Sequence, residues 1–309
     1  MGMNGFGPES TTDDVLSGID LAGRTALVTG VTSGLGGETA RALAASGAAV
    51  ILAARDGDAA AVVADGIRET VPDAKLSSVA VDLADLSRIR GAVDLLGAQP
   101  IDLLINNAGV MYTPFARTTD GFELQFGTNH LGHFLLTTSL LPNLQSAAER
   151  SGSASRVVTV SSDAHRAHAV DLVDPNFLER RYDKFVAYGQ SKAANVLMTV
   201  ELQRRHADNG IHAFAVHPGV CATGLSRYMS RDDFAEMKRM SAGKPGLLAN
   251  LKSIPAAAAT SVWAASAPGL TSESALYLCD CRVGRAAEHA VDPETAAALW
   301  GLSEKLVGL

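Results

Sequence analysis

The sequence is poor in the segments and residues that mark several common classes of protein. Its 309 residues include three cysteines, an odd number and too few for a disulfide framework. No uninterrupted apolar run of about 18 residues occurs, so we expect no membrane span or membrane anchor. The first residues lack the basic start and apolar run of a secretory signal. These absences predict a cytoplasmic protein.

Positive charge and aromatic side chains are also scarce. Lys and Arg number 26 against 33 Asp and Glu, which gives a formal charge of -7 and a pI of about 5.6. An acidic balance disfavours a nucleic-acid partner or an anionic membrane surface. Aromatic residues make up 5%, yet the hydrophobic fraction of 47% is enough for a large buried core.

Short apolar runs of strand length alternate with segments of helical character. The runs lie at 24–30, 48–55, 76–83, 101–109, 155–162, 211–219 and 275–281. The helical segments lie at 35–47, 57–70, 84–98, 121–147, 187–208 and 256–266. Strands that are apolar on both faces are typical of parallel sheets covered by helices. We therefore predict an α/β fold with a doubly wound parallel sheet of about seven strands and helices on both faces.

One domain accounts for nearly the whole chain. We assign residues 1–20 to an N-terminal extension, within which "STTDDVL" (10–16) could form a short capped helix, and residues 21–309 to the domain. Two long irregular stretches, 163–187 and about 223–255, follow the carboxyl ends of strands. Ligands bind at that edge of open α/β sheets, so we expect these stretches to line the substrate side.

A glycine-rich turn, "TGVTSGLG" (29–36), follows the first strand and opens a helix. Gly30, Gly34 and Gly36 permit a tight turn in which a diphosphate can approach backbone N–H groups. The spacing differs from both G-x-G-x-x-G and the phosphate-binding loop of nucleotide triphosphatases. An ordinary strand-to-helix turn is the alternative.

Four motifs in order carry a family resemblance. The glycine turn, "NNAG" (106–109), "YGQSK" (188–192) and "HPGVCAT" (217–223) together resemble the short-chain dehydrogenase/reductase family. "NHLGHF" (129–134) and "ETAAALWGLSEKLVG" (294–308) look most like its retinol dehydrogenase and WW-domain oxidoreductase branch. The resemblance implies a Rossmann-type fold, a nicotinamide dinucleotide cofactor, and homodimers or homotetramers built on the long helices 121–147 and 187–208.

The end of the second predicted strand bears on the choice of cofactor. Ala54 stands where an acid would hold the ribose of NAD, and Arg55, which follows, could pair with a 2′-phosphate. We therefore favour NADP(H), with NAD(H) as the alternative. The resemblance assigns the cofactor to Gly30, Thr32, Ser33, Gly34, Leu35, Gly36, Arg55, Asp82, Leu83, Asn107, Ala108, Gly109, Tyr188, Lys192, Pro218, Gly219, Cys221 and Thr223.

Tyr188 and Lys192 lie four residues apart in a predicted helix, so their side chains share one face. A tyrosine hydroxyl titrates near 10, and lowering that pKa by about three units takes roughly 4 kcal/mol. A nearby lysine cation, partly desolvated beside an oxidised nicotinamide, can supply stabilisation of this order, which would make the tyrosine a general acid and base. Ser162, at a strand end, could bind the substrate oxygen, with Ser161 as the alternative. The resemblance adds Asn129 as the residue that holds a water molecule on the lysine.

These features predict an oxidoreductase that interconverts a carbonyl and an alcohol on a small lipophilic molecule. A reductase of carbon–carbon double bonds and a catalytically silent, cofactor-sensing interaction protein are the alternatives. The segment 226–240 is expected to cover an apolar substrate. His130 and His133, like His165 and His168, have a spacing that can bind zinc, but a zinc site needs three or four ligands, so we expect no metal.

Overall fold

The computed structural model describes residues 5–32, 34–240, 251–271 and 276–309. Within these ranges eight strands form one sheet in the order β3-β2-β1-β4-β5-β6-β7-β8. They are β1 (Thr25–Thr29), β2 (Ala49–Ala54), β3 (Leu76–Ala80), β4 (Leu103–Asn106), β5 (Ser155–Val160), β6 (Ile211–His217), β7 (Tyr277–Cys279) and β8 (Arg282–Val283). The first seven run parallel, which confirms the predicted doubly wound α/β sheet.

Helices connect the strands and cover both faces of the sheet. They are α1 (Thr12–Leu16), α2 (Gly34–Ala45), α3 (Gly57–Thr70), α4 (Leu86–Leu96), α5 (Leu124–Phe126), α6 (Gly132–Ser139), α7 (Leu141–Ser151), α8 (Lys184–His206), α9 (Arg231–Met240), α10 (Ile254–Ser266) and α11 (Pro293–Val307). A π-helical segment (Gly127–Leu131) joins α5 to α6. Among the described residues no helix combines the length and apolarity needed to cross a bilayer.

Alternation along each strand divides the core into two layers. Val28 packs into a layer with residues of α1, α2, α3 and α10, whereas Leu27 packs into the opposite layer with residues of α4, α6, α8 and α11. Successive side chains of a strand point to opposite faces, so an apolar residue at every position requires helices on both sides. The buried Val15 and Leu16 bring α1 into the first layer.

The single helix predicted over 121–147 is wrong in detail. The chain forms α5, the π segment, α6 and α7 in succession, and Leu140 leaves helical geometry between α6 and α7. Pro142 lies in the first turn of α7, where its missing N–H costs nothing, but it could not continue α6. The π segment contains Asn129.

The antiparallel β8 was not predicted. It follows β7 through Asp280 and Cys281, which both have positive φ angles, 54° and 53°. Two consecutive positive φ values are the geometry of a two-residue hairpin turn, which Asn-Gly or Asp-Gly usually supplies. Neither glycine nor asparagine occupies these positions, so the sequence gives no warning of the hairpin.

The carboxyl-terminal helix covers α6 and α8. Trp300 of α11 packs edge-on against Phe134 of α6, with 4.8 Å between ring centroids, and Arg205 of α8 lies over its indole. Ala296 and Leu299 are buried in the same layer as Leu197 and Leu202 of α8. The helices that would form an oligomer interface by family resemblance therefore have one face occupied by the chain's own last helix.

His130 is a buried core residue that ties the π segment to α11. The Ser303 hydroxyl donates to the Leu299 carbonyl, so the His130 Nε2–H donates to Ser303, at 2.8 Å. The rings of Phe126 and Phe134 lie on either side of the imidazole. Burial lowers the pKa of His130 to about 3, so the imidazole is neutral in the folded protein.

Replacement of His130 by Gln should make the protein less sensitive to acid. The unfolded chain binds a proton at His130 below about pH 6.5 and the folded chain does not, so stability is lost as the pH falls from 6.5 towards 3. Between pH 7 and pH 5 the loss should be about 2 kcal/mol smaller in His130→Gln than in the wild type. Urea unfolding at the two pH values measures this difference, and equal losses in both proteins would contradict it.

Candidate active site

A cavity of about 900 Å³ opens at the carboxyl ends of β1, β4, β5 and β6. The residues predicted for catalysis and cofactor binding line it, with three exceptions. Gly36 and Asn129 lie behind its wall, and Ser33 falls outside the described residues. The sequence motifs, far apart along the chain, thus meet in one place because parallel strands end at the same edge of the sheet.

The glycine turn packs more tightly than any side chain would allow. A Cβ atom at Gly36 would lie 2.3 Å from the carbonyl oxygen of Gly30 and 2.5 Å from Nδ2 of Asn107. Gly30 has a φ of 71° and lies directly against Ala108. The start of α2 therefore sits close to the ends of β1 and β4, and its first N–H groups face the cavity.

Thr29 joins the turn to the "NNAG" loop. Its Oγ1 accepts hydrogen bonds from the backbone N–H groups of Asn107 and Ala108, at 2.9 and 3.0 Å. The Asn107 side chain donates to the Thr29 carbonyl at 2.8 Å. These contacts fix the floor of the cavity between β1 and β4.

Arg55 stands at the rim of the cavity and is exposed. Across the described ranges its guanidinium has neither a hydrogen bond nor an ion pair, whereas the neighbouring Asp56 caps α3 by accepting from the Asp58 N–H at 2.9 Å. Asp56 is therefore engaged with the backbone of α3.

Gly132 of α6 lets the carbonyl of Leu83 approach closely.

Tyr188 and Lys192 both project from the first half of α8 into the cavity. Asp183 caps the helix by accepting from Phe185 N–H and Val186 N–H. The Lys192 Nζ lies 5.7 Å from the centroid of the Tyr188 ring and donates to the Val160 carbonyl at 3.0 Å. Each side chain is buried, with 4% of its surface exposed.

The net effect of the protein's own groups is to raise the pKa of Tyr188. Burial raises it, the nearby Tyr112 raises it further, and a hydrogen bond with the Ser162 side chain opposes both. Burial lowers the pKa of Lys192 to about 8. The Lys192 amine donates to the Val160 carbonyl, and no bond between the amine and the Tyr188 hydroxyl offsets the effect of burial on either group.

The two adjacent serines have different partners. The Ser161 hydroxyl donates to the carbonyl of Lys192 at 2.8 Å and so holds α8 against the end of β5. The Ser162 side chain accepts from the Ala164 N–H and lies beside the Tyr188 hydroxyl. Ser162 is therefore the serine whose side chain contacts Tyr188, whereas Ser161 is bonded to the backbone of α8.

Asn129 uses its whole side chain for structural contacts. Its Oδ1 accepts from the Val110 N–H at 2.8 Å, and its Nδ2 donates to the Val110 carbonyl and the Ser191 hydroxyl. Both Asn129 Oδ1 and Lys192 Nζ lie within 4 Å of the space that a Cβ on Gly109 would fill. Asn129 thus lies next to the lysine.

Sequence reasoning missed several residues that shape this site. Tyr112 has a φ of 52°, and its ring packs edge-on against Tyr188, with 5.1 Å between centroids. Gln190, inside "YGQSK", donates to the Pro175 carbonyl and accepts from Arg180, so it anchors the loop before α8. Gly189 leaves room for His168, which lies against α8. The contacts of Tyr112 and His168 are long-range, so no local pattern announces them.

The substrate side of the cavity is apolar and lies under α9. Phe234 and Met237 of α9 line it together with Met229. Asp233 forms an ion pair of 2.5 Å with Lys184, the first residue of α8, and this pair holds α9 over the cavity. The predicted segment 226–240 thus covers the expected region, and residues 241–250 of the predicted loop fall outside the described residues.

The fold and this arrangement define a nicotinamide-dependent oxidoreductase. Residues 24–233 match the family model for short chain dehydrogenases, so the chain belongs to that family, near its retinol dehydrogenase branch. It is 39% identical to short-chain dehydrogenase TIC 32 B, chloroplastic, of Brassica napus, over 99% of this chain and 95% of the relative. It is 40% identical to human retinol dehydrogenase 13, over 94% and 86%.

Solved structures show the same fold. An uncharacterized protein from Mycobacterium paratuberculosis matches with a TM-score of 0.76 and 36% identity, over 97% of this chain and 98% of that one. Similar structures with 25% and 27% identity, both with a TM-score of 0.63, contain NADP. Binding of NAD or NADP is a property of the family.

Replacement of Gly36 by Ala should damage the cofactor site. The new methyl group would meet the Gly30 carbonyl and the Asn107 amide, which cannot both move, so we expect a loss of about 1–3 kcal/mol in stability and cofactor binding weakened about tenfold or more. Gly66→Ala, in the exposed part of α3, is the matched control because its Cβ would meet nothing within 4 Å. Thermal unfolding and fluorescence titration with NADPH measure both effects, and full cofactor affinity in Gly36→Ala would refute the packing argument.

Proposed function

We propose that the protein interconverts a carbonyl and an alcohol on a small lipophilic molecule, with NADP(H) as cofactor and Tyr188 as acid and base. One observation carries the proposal. Tyr188, Lys192 and Ser162 converge on a single cavity whose other end is the glycine turn. The catalytically silent alternative predicts a dispersed or broken set of these groups.

The residues present fit a nicotinamide dinucleotide. The close packing at Gly30 and Gly36 leaves room for a diphosphate against the N–H groups at the start of α2. Gly34, at a φ of 58°, lies against the methyl group of Thr223. Thr223 and Pro218 would hold the nicotinamide end, Asp82 and Leu83 the adenine end, and Arg55 the ribose phosphate. When bound, this cofactor supplies or accepts the hydride.

The chain's own groups then handle the proton and the substrate oxygen. Ser162 and Tyr188 would each hydrogen-bond the oxygen of the carbonyl or alcohol, and Tyr188 would donate the proton in reduction or accept it in oxidation. The phenol can release its proton only if positive charge opposes the effect of burial. Lys192, whose amine faces the same cavity, and the oxidised cofactor ring are the two sources of that charge. Asn129 would hold a water molecule on the lysine and so link it to solvent.

The apolar side of the cavity supports a lipophilic substrate. Tyr112 and Phe185 pack against each other beside Tyr188, and Met229, Phe234 and Met237 close the far side. Unbranched methionine side chains adapt to varied apolar shapes. An aldehyde, ketone or secondary alcohol with a hydrocarbon body fits this surface best.

Replacement of Tyr188 by Phe should lower kcat about 10²- to 10⁴-fold, because the proton donor is removed while the ring remains. Cofactor absorbance with panels of lipophilic aldehydes, ketones and alcohols measures turnover, and product analysis separates carbonyl reduction from double-bond reduction, since only the former leaves a new alcohol. Tyr228→Phe, in the same cavity, is the matched control and should retain wild-type turnover. Undiminished turnover in Tyr188→Phe would remove this residue from its proposed role.

Replacement of Arg55 by Ala should weaken NADPH binding about 10- to 100-fold and leave NADH binding nearly unchanged, because a charge-assisted hydrogen bond to a phosphate contributes about 1.5–3 kcal/mol. Arg68→Ala, on the exposed side of α3, keeps the change in net charge and serves as the control. The ratio of the two dissociation constants, measured by fluorescence titration, tests the preference. A ratio that does not change would indicate that Arg55 does not contact the phosphate.

We infer a cytoplasmic location from the sequence, although the Brassica relatives are named as chloroplastic. Homodimers or homotetramers, as the family resemblance implies, would have to use surface that α11 leaves uncovered. Sedimentation of the purified protein tests the assembly directly.

A further inference from the structure

His133 lies one helical turn after Asn129, behind the wall of the cavity, with no exposed surface. Its Nδ1 lies 3.0 Å from the carbonyl oxygen of Asn129. Its Nε2 lies 3.0 Å from the hydroxyl oxygen of Thr29, at the end of β1. The imidazole therefore bridges the π segment and the strand that begins the cofactor site.

The partners determine which ring nitrogen carries the proton. A carbonyl oxygen can only accept, so the Nδ1 of His133 must be the donor to Asn129. Burial lowers the pKa of His133 to about 4, which leaves the ring neutral with a single N–H. Nε2 is then an acceptor, and the Thr29 hydroxyl must donate to it.

The other hydrogen bonds of the Thr29 hydroxyl agree with its role as the donor to His133. Its oxygen already accepts two backbone N–H groups, from Asn107 and Ala108, so its one hydrogen is free to donate. The nearest acceptors are His133 Nε2 at 3.0 Å and the Ile105 carbonyl at 3.3 Å. Hydrogen bonds thus run in one direction from the "NNAG" loop through Thr29 and His133 to the Asn129 carbonyl.

We propose that His133 is a positioning residue that fixes the Asn129 carbonyl relative to the cofactor-binding loop. The inference rests on the proposed function, in which Asn129 holds a water molecule on Lys192. Both Nδ2 hydrogens of Asn129 are used, by the Val110 carbonyl and the Ser191 hydroxyl, so such a water molecule would donate to an oxygen of Asn129, and we assign it to the backbone carbonyl that His133 contacts. The bond from His133 Nδ1 fixes the direction of this carbonyl group.

His130 provides an internal comparison. It is equally buried but lies on the π segment, three residues before His133 of α6. Its hydrogen bond is to Ser303 of α11, and among the described residues no hydrogen bond joins it to the cofactor-binding loop. If a buried histidine had only a structural role here, that role would be shared by His130 and His133. The positioning role that we propose belongs to His133 alone.

Nitrogen NMR of the imidazole side chains tests the hydrogen-bond chain without any need for turnover. The difference between spectra of the wild type and His133→Asn assigns the His133 signals, and we expect protonated Nδ1 and unprotonated Nε2 between pH 6 and 8. Protonation at Nε2 would overturn the proposal, because the ring could not then donate to Asn129. If the wild type reduced no substrate, the proposed function would fail. The spectrum would still show whether the hydrogen bonds from Thr29 through His133 to Asn129 exist.

Three variants test the positioning role by kinetics. His133→Gln loses the donor to the Asn129 carbonyl, whereas His133→Asn keeps an amide N–H near the position of Nδ1. We expect kcat to fall about 10- to 100-fold in His133→Gln and to recover at least partly in His133→Asn, with NADPH affinity changed less than about threefold. His130→Gln is the control and should keep wild-type kcat whatever its loss of stability. The proposal is overturned if His133→Gln has the same kcat as the wild type. It is also overturned if all three variants lose kcat in proportion to their drop in unfolding temperature.

Discussion

The site depends on the clamp between α8 and the carboxyl end of β5. Lys192 Nζ and Asn195 Nδ2 both donate to the Val160 carbonyl, and the Ser161 hydroxyl donates back to the Lys192 carbonyl. These bonds offset part of the cost of burying an amine, which otherwise lowers its pKa. Because the clamp sets the rotation of α8, it also directs the Tyr188 side chain, one turn earlier, into the cavity.

The cofactor end of the cavity depends on a different constraint, the close approach of backbone to backbone. Glycines at 30 and 36 let α2, β1 and β4 meet without intervening side chains, and Thr29 joins the two strands. The two ends of the cavity are linked behind its wall by the π segment. That segment places Asn129 beside Lys192, and α6, which continues it, places His133 against Thr29. Catalytic and cofactor-binding groups thus belong to one packed unit.

The substrate side is held by polar contacts around an apolar surface. Gln190 anchors the loop before α8, and the Lys184–Asp233 pair holds α9 over the opening. Both anchors start from α8, the helix that carries Tyr188. Phe234 and Met237 of the apolar wall belong to α9, whereas Tyr188 and Lys192, the groups proposed for proton transfer, belong to α8.

Local patterns in the sequence determined the parallel sheet, most helix boundaries and the meeting of the motifs. Apolar runs such as "ALVT" and "VVTV" need cover on both faces, and the carboxyl ends of parallel strands share one edge. The spacing of Tyr188 and Lys192 likewise determined that they share a helix face.

Only the tertiary structure decided features that depend on distant neighbours. Four features follow from packing: the breaks in the segment 121–147, the hairpin at Asp280, the different partners of Ser161 and Ser162, and the position of Tyr112. The pKa of Tyr188 shows the difference most clearly. The spacing of Tyr188 and Lys192 shows that they share a helix face, but it does not show that burial raises the pKa of Tyr188, because desolvation is set by the whole surrounding fold.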